Sequence, residues 1–230
     1  MSIYTKDKYD RLKYKFKGSE ELNENYSQAY QDMFVLSMLD GKKNGSYLEI
    51  GASNGKMISN TYLLDNSFNW VGISIDISIE SKYSFTEHGR NSNLIINDAL
   101  TLDYEKLLLD NNMSKQIDYL QLDIEPHYNT LQCLKLIPFD KYRFSVITYE
   151  TDLYDSAMGK SNSLRNRDES RAIILSHGYE LLVGNICNTS INDPFEDWYI
   201  DPNVIDKDII KQYTKSSEFN DIAENFLLNF

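Results

Sequence analysis

An α/β fold built on a mostly parallel sheet is what this sequence predicts, and three observations predict it. Short apolar segments rich in β-branched and aromatic residues alternate with stretches of helical periodicity. The first five of these segments each run into a carboxylate: Glu49, Asp76, Asp98, Asp123 and Glu150. The first, residues 46–55 (SYLEIGASNG), passes through a glycine turn and on toward a helix. Strands separated by helical connections of this length pair in parallel and carry helices on both faces.

The elements follow in order. Ser27 is the expected N-cap of a first helix, whose apolar face is Tyr30, Met33, Phe34 and Met38, and Gly41 and Gly45 end it. Tyr47, Leu48 and Ile50 make the first strand. Residues 70–75 (WVGISI), 93–96 (NLII), 117–122 (IDYLQL) and 144–149 (FSVITY) make the next four. Helical stretches cover 59–66, 78–88, 104–111 and 129–136, the last stopping before Pro138. Residues 170–177 read as a helix closed by Gly178, and 179–183 (YELLV) as the following strand. Residues 188–202 are polar and turn-rich, with Pro194 and Pro202 framing FEDWYID. Phe219, Ile222, Ala223, Phe226 and Phe230 place a final amphipathic helix against the sheet.

A chain of 230 residues with 41% hydrophobic and 25% charged content fits one domain with a large core, assigned to residues 26–230. Residues 1–25 form a basic arm, with Lys6, Lys8, Arg11, Lys13, Lys15 and Lys17 against Asp7 and Asp10, expected to be solvated. The net charge of −12 opposes general binding to nucleic acid or an anionic membrane. No apolar run approaches a membrane span, and the opening MSIYTKDKYD lacks the core of a signal peptide, so a cytoplasmic location is expected. Cys133 and Cys187 lie in apolar segments and read as buried thiols.

The glycine turn has the spacing Glu49-x-Gly51-x-x-x-Gly55. Dinucleotide sites use a closer glycine pair to seat a pyrophosphate, and Glu49 would repel one. A carboxylate suits a cationic ligand with hydroxyls, and S-adenosylmethionine is one. Asp76 stands 21 positions past Gly55, where an acid grips ribose hydroxyls in nucleotide-binding α/β folds. Asp98 and Ala99 are placed to meet an adenine amino group. After the fourth and fifth strands come Asp123-Ile124-Glu125 and Glu150-Thr151-Asp152. These acids can hold a hard divalent cation such as Mg²⁺ (Asp123, Glu150, Asp152), serve as a general base, or bond sugar hydroxyls. The spacing leaves all three roles open. His127 stands near this edge and is a further base candidate, whereas His88 and His177 sit at helix ends. Zinc spacing, G-x-S-x-G and the P-loop are absent.

Taken in order, these motifs resemble FkbM-type class I methyltransferases. The matching residues are Ser27-Gln28 with Gln31-Asp32, YLEIGASNG, Ser59-Asn60-Thr61, WVGISID, NDAL, DYLQLDIEP, Thr130-Leu131, SVITYETDLY, SRAIILSHGYELLV and FEDWYIDP, over roughly residues 26–202. The resemblance implies a Rossmann-like, seven-stranded, mostly parallel sheet with one antiparallel strand. It implies S-adenosylmethionine as cofactor, with Glu49, Gly51, Ala52, Ser53 and Gly55 around its methionine part. Asp76 and Ile77 would then meet ribose and adenine, Asp98 and Ala99 the adenine, and Asp123 the methyl-transfer position. Many relatives carry Glu-His where this chain has Glu150-Thr151, which leaves Asp152, Glu125 and His127 as base candidates. The expected activity is O-methylation of a sugar, glycan or glycosylated small molecule. Two other readings stay open: a non-catalytic nucleotide-binding or assembly module, and a nucleic-acid methyltransferase supported only by the basic arm.

Overall fold

Five apolar segments of the sequence become five parallel strands: β1 (Ser46–Ile50), β2 (Val71–Asp76), β3 (Asn93–Ile96), β4 (Gln116–Leu122) and β5 (Arg143–Glu150). The computed structural model describes residues 4–126, 128–151, 153, 160–187 and 193–230. β6 (Glu180–Cys187), β7 (Pro194–Ile200) and the two-residue β8 (Asp221–Ile222) complete an eight-stranded sheet of order β3-β2-β1-β4-β5-β7-β6-β8. β7 runs antiparallel to both β5 and β6. The strand order reverses between β1 and β4, and a crevice opens there beyond the carboxyl ends of the strands.

Both sheet faces are covered, because successive residues of the central strands point to opposite sides. Tyr47, Tyr119, Val146 and Trp198 pack with α1 (Gln31–Met38) and α2 (Tyr62–Phe68). Their neighbours Leu48, Leu120, Ile147 and Tyr199 pack with α4 (Tyr104–Asp110), α5 (Tyr128–Leu134) and Ile174 of α6 (Lys160–Ser176). Between β2 and β3 lies α3 (Ile79–Glu87), whose N-cap Ser78 accepts from the Glu80 amide at 3.1 Å. Cys133 and Cys187 are free, buried thiols, as their apolar neighbours predict. Among the described residues no helix is long and apolar enough to cross a membrane.

Five expectations change. The sheet has an eighth strand, because β8 adds to the edge of β6 at Ile186 and Cys187. FEDWYID is no loop. It forms most of β7, where Pro194 takes the first position and needs no ladder donor. Ser27 does not cap α1: its hydroxyl donates to Asp32 at 2.5 Å, and Tyr30, in the left-handed region, precedes the helix. The final helix shrinks to α8 (Ala223–Leu227); Phe226 is buried but Phe230 is 80% exposed. The leading segment is not solvated. Tyr4, Leu12 and Phe16 are buried in the core, the Lys13 amide donates to Leu227 O at 3.0 Å, and Lys8 pairs with Glu224 at 3.0 Å. Aromatic and apolar residues interleaved among the lysines give this segment something to bury, which a charge count alone hides.

Candidate functional site

The carboxyl ends of β1, β2, β4 and β5 open onto a cavity of about 620 Å³, within the range of small-molecule sites. Its geometry starts at Gly51, just past β1, with φ of +88°. A Cβ there would lie 1.5 Å from the backbone oxygen of Asp123, so the turn after β1 and the turn after β4 touch only because Gly51 has no side chain. Both turns are anchored to neighbouring strands: the Gly51 and Ala52 amides donate to Ile75 O, and the Asp123 amide donates to Ile50 O. Gly51→Ala is therefore expected to cost about 2–3 kcal/mol and to push Asp123 away from β1. Thermal unfolding beside the unaltered chain checks this, and an unshifted midpoint would contradict the contact.

Two carboxylates shape the β2–β3 side. Asp76 accepts from the Ser53 amide at 2.6 Å and the Ser78 amide at 2.7 Å, which ties the glycine turn to the start of α3. Asp98 accepts from the Leu100 amide at 2.9 Å, and Asn97 accepts from the Asp98 amide. Ile77 stands 75% exposed at the mouth, and Ala99 lies buried in the wall.

On the β4–β5 side, Asp123 hydrogen-bonds Glu150, and both line the cavity with Glu125. Burial pushes the Asp123 carboxyl up, and the bond to Glu150 offsets part of that shift. Glu196 of β7 lies opposite Glu150 in the ladder. It accepts from Trp198 Nε1 at 2.6 Å and from the Gln31 amide. Burial nonetheless pushes its carboxyl up to about 8, helped by the charge of Asp123. Ile58 lines the mouth with φ of +55°, a left-handed conformation that costs a β-branched residue roughly 1–3 kcal/mol.

The sequence-derived residues divide accordingly. Gly51, Ser53, Asp76, Ile77, Asp98, Ala99, Asp123, Glu125 and Glu150 line the cavity. Glu49, Ala52 and Gly55 do not. Glu49 is 2% exposed and turned into the body, where Thr61 and Ser74 donate to it at 2.7 and 2.6 Å and the Arg90 guanidinium lies 4.0 Å away. Gly55 serves the approach of α3, since a Cβ would meet the Phe85 backbone at 2.9 Å. His127 and Asp152 lie outside the described residues. Asp123 and Glu150 meet, yet no group of three or more metal-binding side chains forms among the described residues.

Bonds within the protein account for several of the acids at the strand ends. Arg90 neutralises Glu49, and backbone amides bind Asp76 and Asp98. Sequence reasoning missed Gln28, Asn97 and Asn129 in the lining, and Glu196 behind it. Gln28 and Asn97 had a signal, since both lie in matched motifs, and Glu196 had one as an acid inside an aromatic run.

No protein-family model matches the sequence, and no curated protein matches it. Solved structures do. A candidate rRNA-methylase from Clostridium thermocellum aligns with a TM-score of 0.52 at 13% identity, over 78% of this chain and 97% of the other. The chain has the Rossmann-like methyltransferase fold. The N-terminal domain of EvdMO1, solved in the presence of SAH and D-fucose, aligns at 15% identity over 77% of this chain and 83% of that domain, with a TM-score of 0.49. The plantazolicin methyltransferase BamL, solved with SAH and a triazolic desmethylPZN analog, aligns at 16% identity over 74% of this chain and 82% of the other, with a TM-score of 0.47. In this fold the β1–β4 crossover point and the cavity coincide.

Proposed function

We propose that this chain is an S-adenosylmethionine-dependent O-methyltransferase of FkbM type, acting on a hydroxyl of a sugar, glycan or glycosylated small molecule. The observation that carries the reading is the charge of the cavity. Asp76, Asp98, Asp123, Glu125 and Glu150 line it, and among the described residues no lysine or arginine does. Such a lining suits a ligand bearing an ammonium, a sulfonium and ribose hydroxyls, and the apolar Ile75, Ala99 and Ile124 suit its purine.

When bound, S-adenosylmethionine supplies a methyl group on a cationic sulfur that leaves as a neutral thioether. The residues fit it in two halves. Gly51 and Ser53 flank the position for its methionine part. Asp76, oriented by one amide on each oxygen, keeps lone pairs for ribose hydroxyls. Ile77, Asp98 and Ala99 bound the space for adenine. The Asp123–Glu150 pair shares a proton across its hydrogen bond and presents the remaining carboxylate capacity to an acceptor hydroxyl. Holding two reactants in line supplies much of the rate in such a transfer.

Asp76→Ala is expected to weaken binding of S-adenosylhomocysteine by about a hundredfold or more, since the hydroxyl acceptor and the anchor of the Ser53 turn are lost together. Calorimetry measures the affinity, and circular dichroism confirms that the variant is folded. Unchanged affinity in a folded variant would remove the cofactor assignment.

A further inference from the structure

The half of the cavity beyond β4 and β5 carries no positive side chain among the described residues. Its polar lining includes the carboxylates of Asp123, Glu125 and Glu150 and the amide of Asn129, and the Gln28 amide lines the same cavity. Asp123, Gln28 and Asn129 are half-buried, and Glu125 stands exposed at the mouth. The two amides each offer a donor and an acceptor, and neither side chain is engaged elsewhere among the described residues. Primary amides and carboxylates together match hydroxyls, which donate and accept at the same atom. They do not match phosphate, which proteins hold with arginine, lysine or runs of backbone amides. The bulk charge of −12 adds a repelling field of the same sign.

We propose that the acceptor is a neutral glycoside or glycan, and that this cavity excludes sugar phosphates and nucleoside-diphosphate sugars. The proposal rests on the methyltransferase reading and adds the charge state of the substrate to it. A place in a reaction sequence follows. A glycosyl transfer that leaves the nucleotide behind must precede methylation, so the chain acts on the transferred sugar and not on its activated donor. Glu125 is the exposed carboxylate in this half of the lining.

The test uses the full chain with S-adenosylhomocysteine bound, and that binding is measured first. Its failure would count against the methyltransferase reading and not against the charge rule. UDP-glucose and glucose 1-phosphate are then titrated into the loaded chain at low salt. The expected result is no saturable binding up to about 10 mM; a Kd below about 1 mM for either probe overturns the proposal. In parallel, Glu125→Lys, which swaps one charge at an exposed position, is expected to raise affinity for both phosphorylated probes at least tenfold. Phosphate affinity unmoved by that swap would show that cavity charge does not select the acceptor. Methyl-transfer assays on matched pairs, a methyl glycoside beside the 1-phosphate of the same sugar, complete the test. Turnover of both members of a pair at similar rates overturns the proposal.

Discussion

Arg90→Leu is expected to destabilise the chain by roughly 3–5 kcal/mol, enough to lower the unfolding temperature by about 10 °C or more. The guanidinium is 1% exposed and spends every donor inside the protein. Nε bonds Asp65 at 2.7 Å, one terminal nitrogen bonds Gly55 O and Ser59 Oγ, and the other bonds Tyr47 and Thr61. Burial works against its charge, but Glu49, Tyr47 and Asp65 hold it firmly protonated. Removing it strands two buried carboxylates in a low-dielectric region, and that penalty exceeds the loss of any one bond. Glu49 already has its carboxyl pushed up by burial with Arg90 present. The double variant Arg90→Leu/Glu49→Gln should therefore recover part of the loss. Thermal and denaturant unfolding measure both. A single variant as stable as the parent would mean that the charges are not coupled through Arg90.

Stability is also expected to fall as pH rises from 5 to 9, with Glu196 as one contributor. Its folded pKa of about 8 stands above its ordinary value of 4.5, so the folded chain holds this proton more tightly than the unfolded one does. The contribution is complete below about 4.5 and is lost progressively as pH rises through 8, amounting to roughly 3–5 kcal/mol across the window. Asp32, Glu49 and Asp123 shift in the same direction because burial dominates each. Glu196→Gln should flatten the profile above pH 6 while keeping a partner for Trp198 Nε1. If that variant loses stability with pH as steeply as the parent does, the proton is held elsewhere.

The legibility of this fold in the sequence varies by segment for physical reasons. Residues 93–96 appear as a strand with the bounds read from the sequence, because the apolar run Leu94-Ile95-Ile96 lies between polar neighbours. β7 was illegible from local pattern because two of its seven residues are acids, Glu196 and Asp197, which normally mark solvent. Their burial is made possible largely by remote partners: Arg171 grips Asp197 at 2.7 and 2.9 Å, the Asn185 amide adds a bond, and the Gln31 side chain joins the neighbouring Trp198 at Glu196. The leading segment failed for the converse reason. Its lysines dominate the reading, while its apolar residues find their cover far downstream, Leu12 bridging to Leu228 and Phe16 packing on Phe68.

By itself the sequence determined the alternation of strands and helices, the glycine turn after β1, and the arrival of an acid at the end of each of five strands. These are local properties, set by side-chain period and backbone freedom over a few residues. Only the tertiary structure decided which acids face the cavity. Asp76, Asp98, Asp123 and Glu150 do, and Glu49 does not, because Arg90 returns from the far end of α3 to hold it inside. A carboxylate goes where its charge is best compensated, and its partners here come from segments that no local pattern connects.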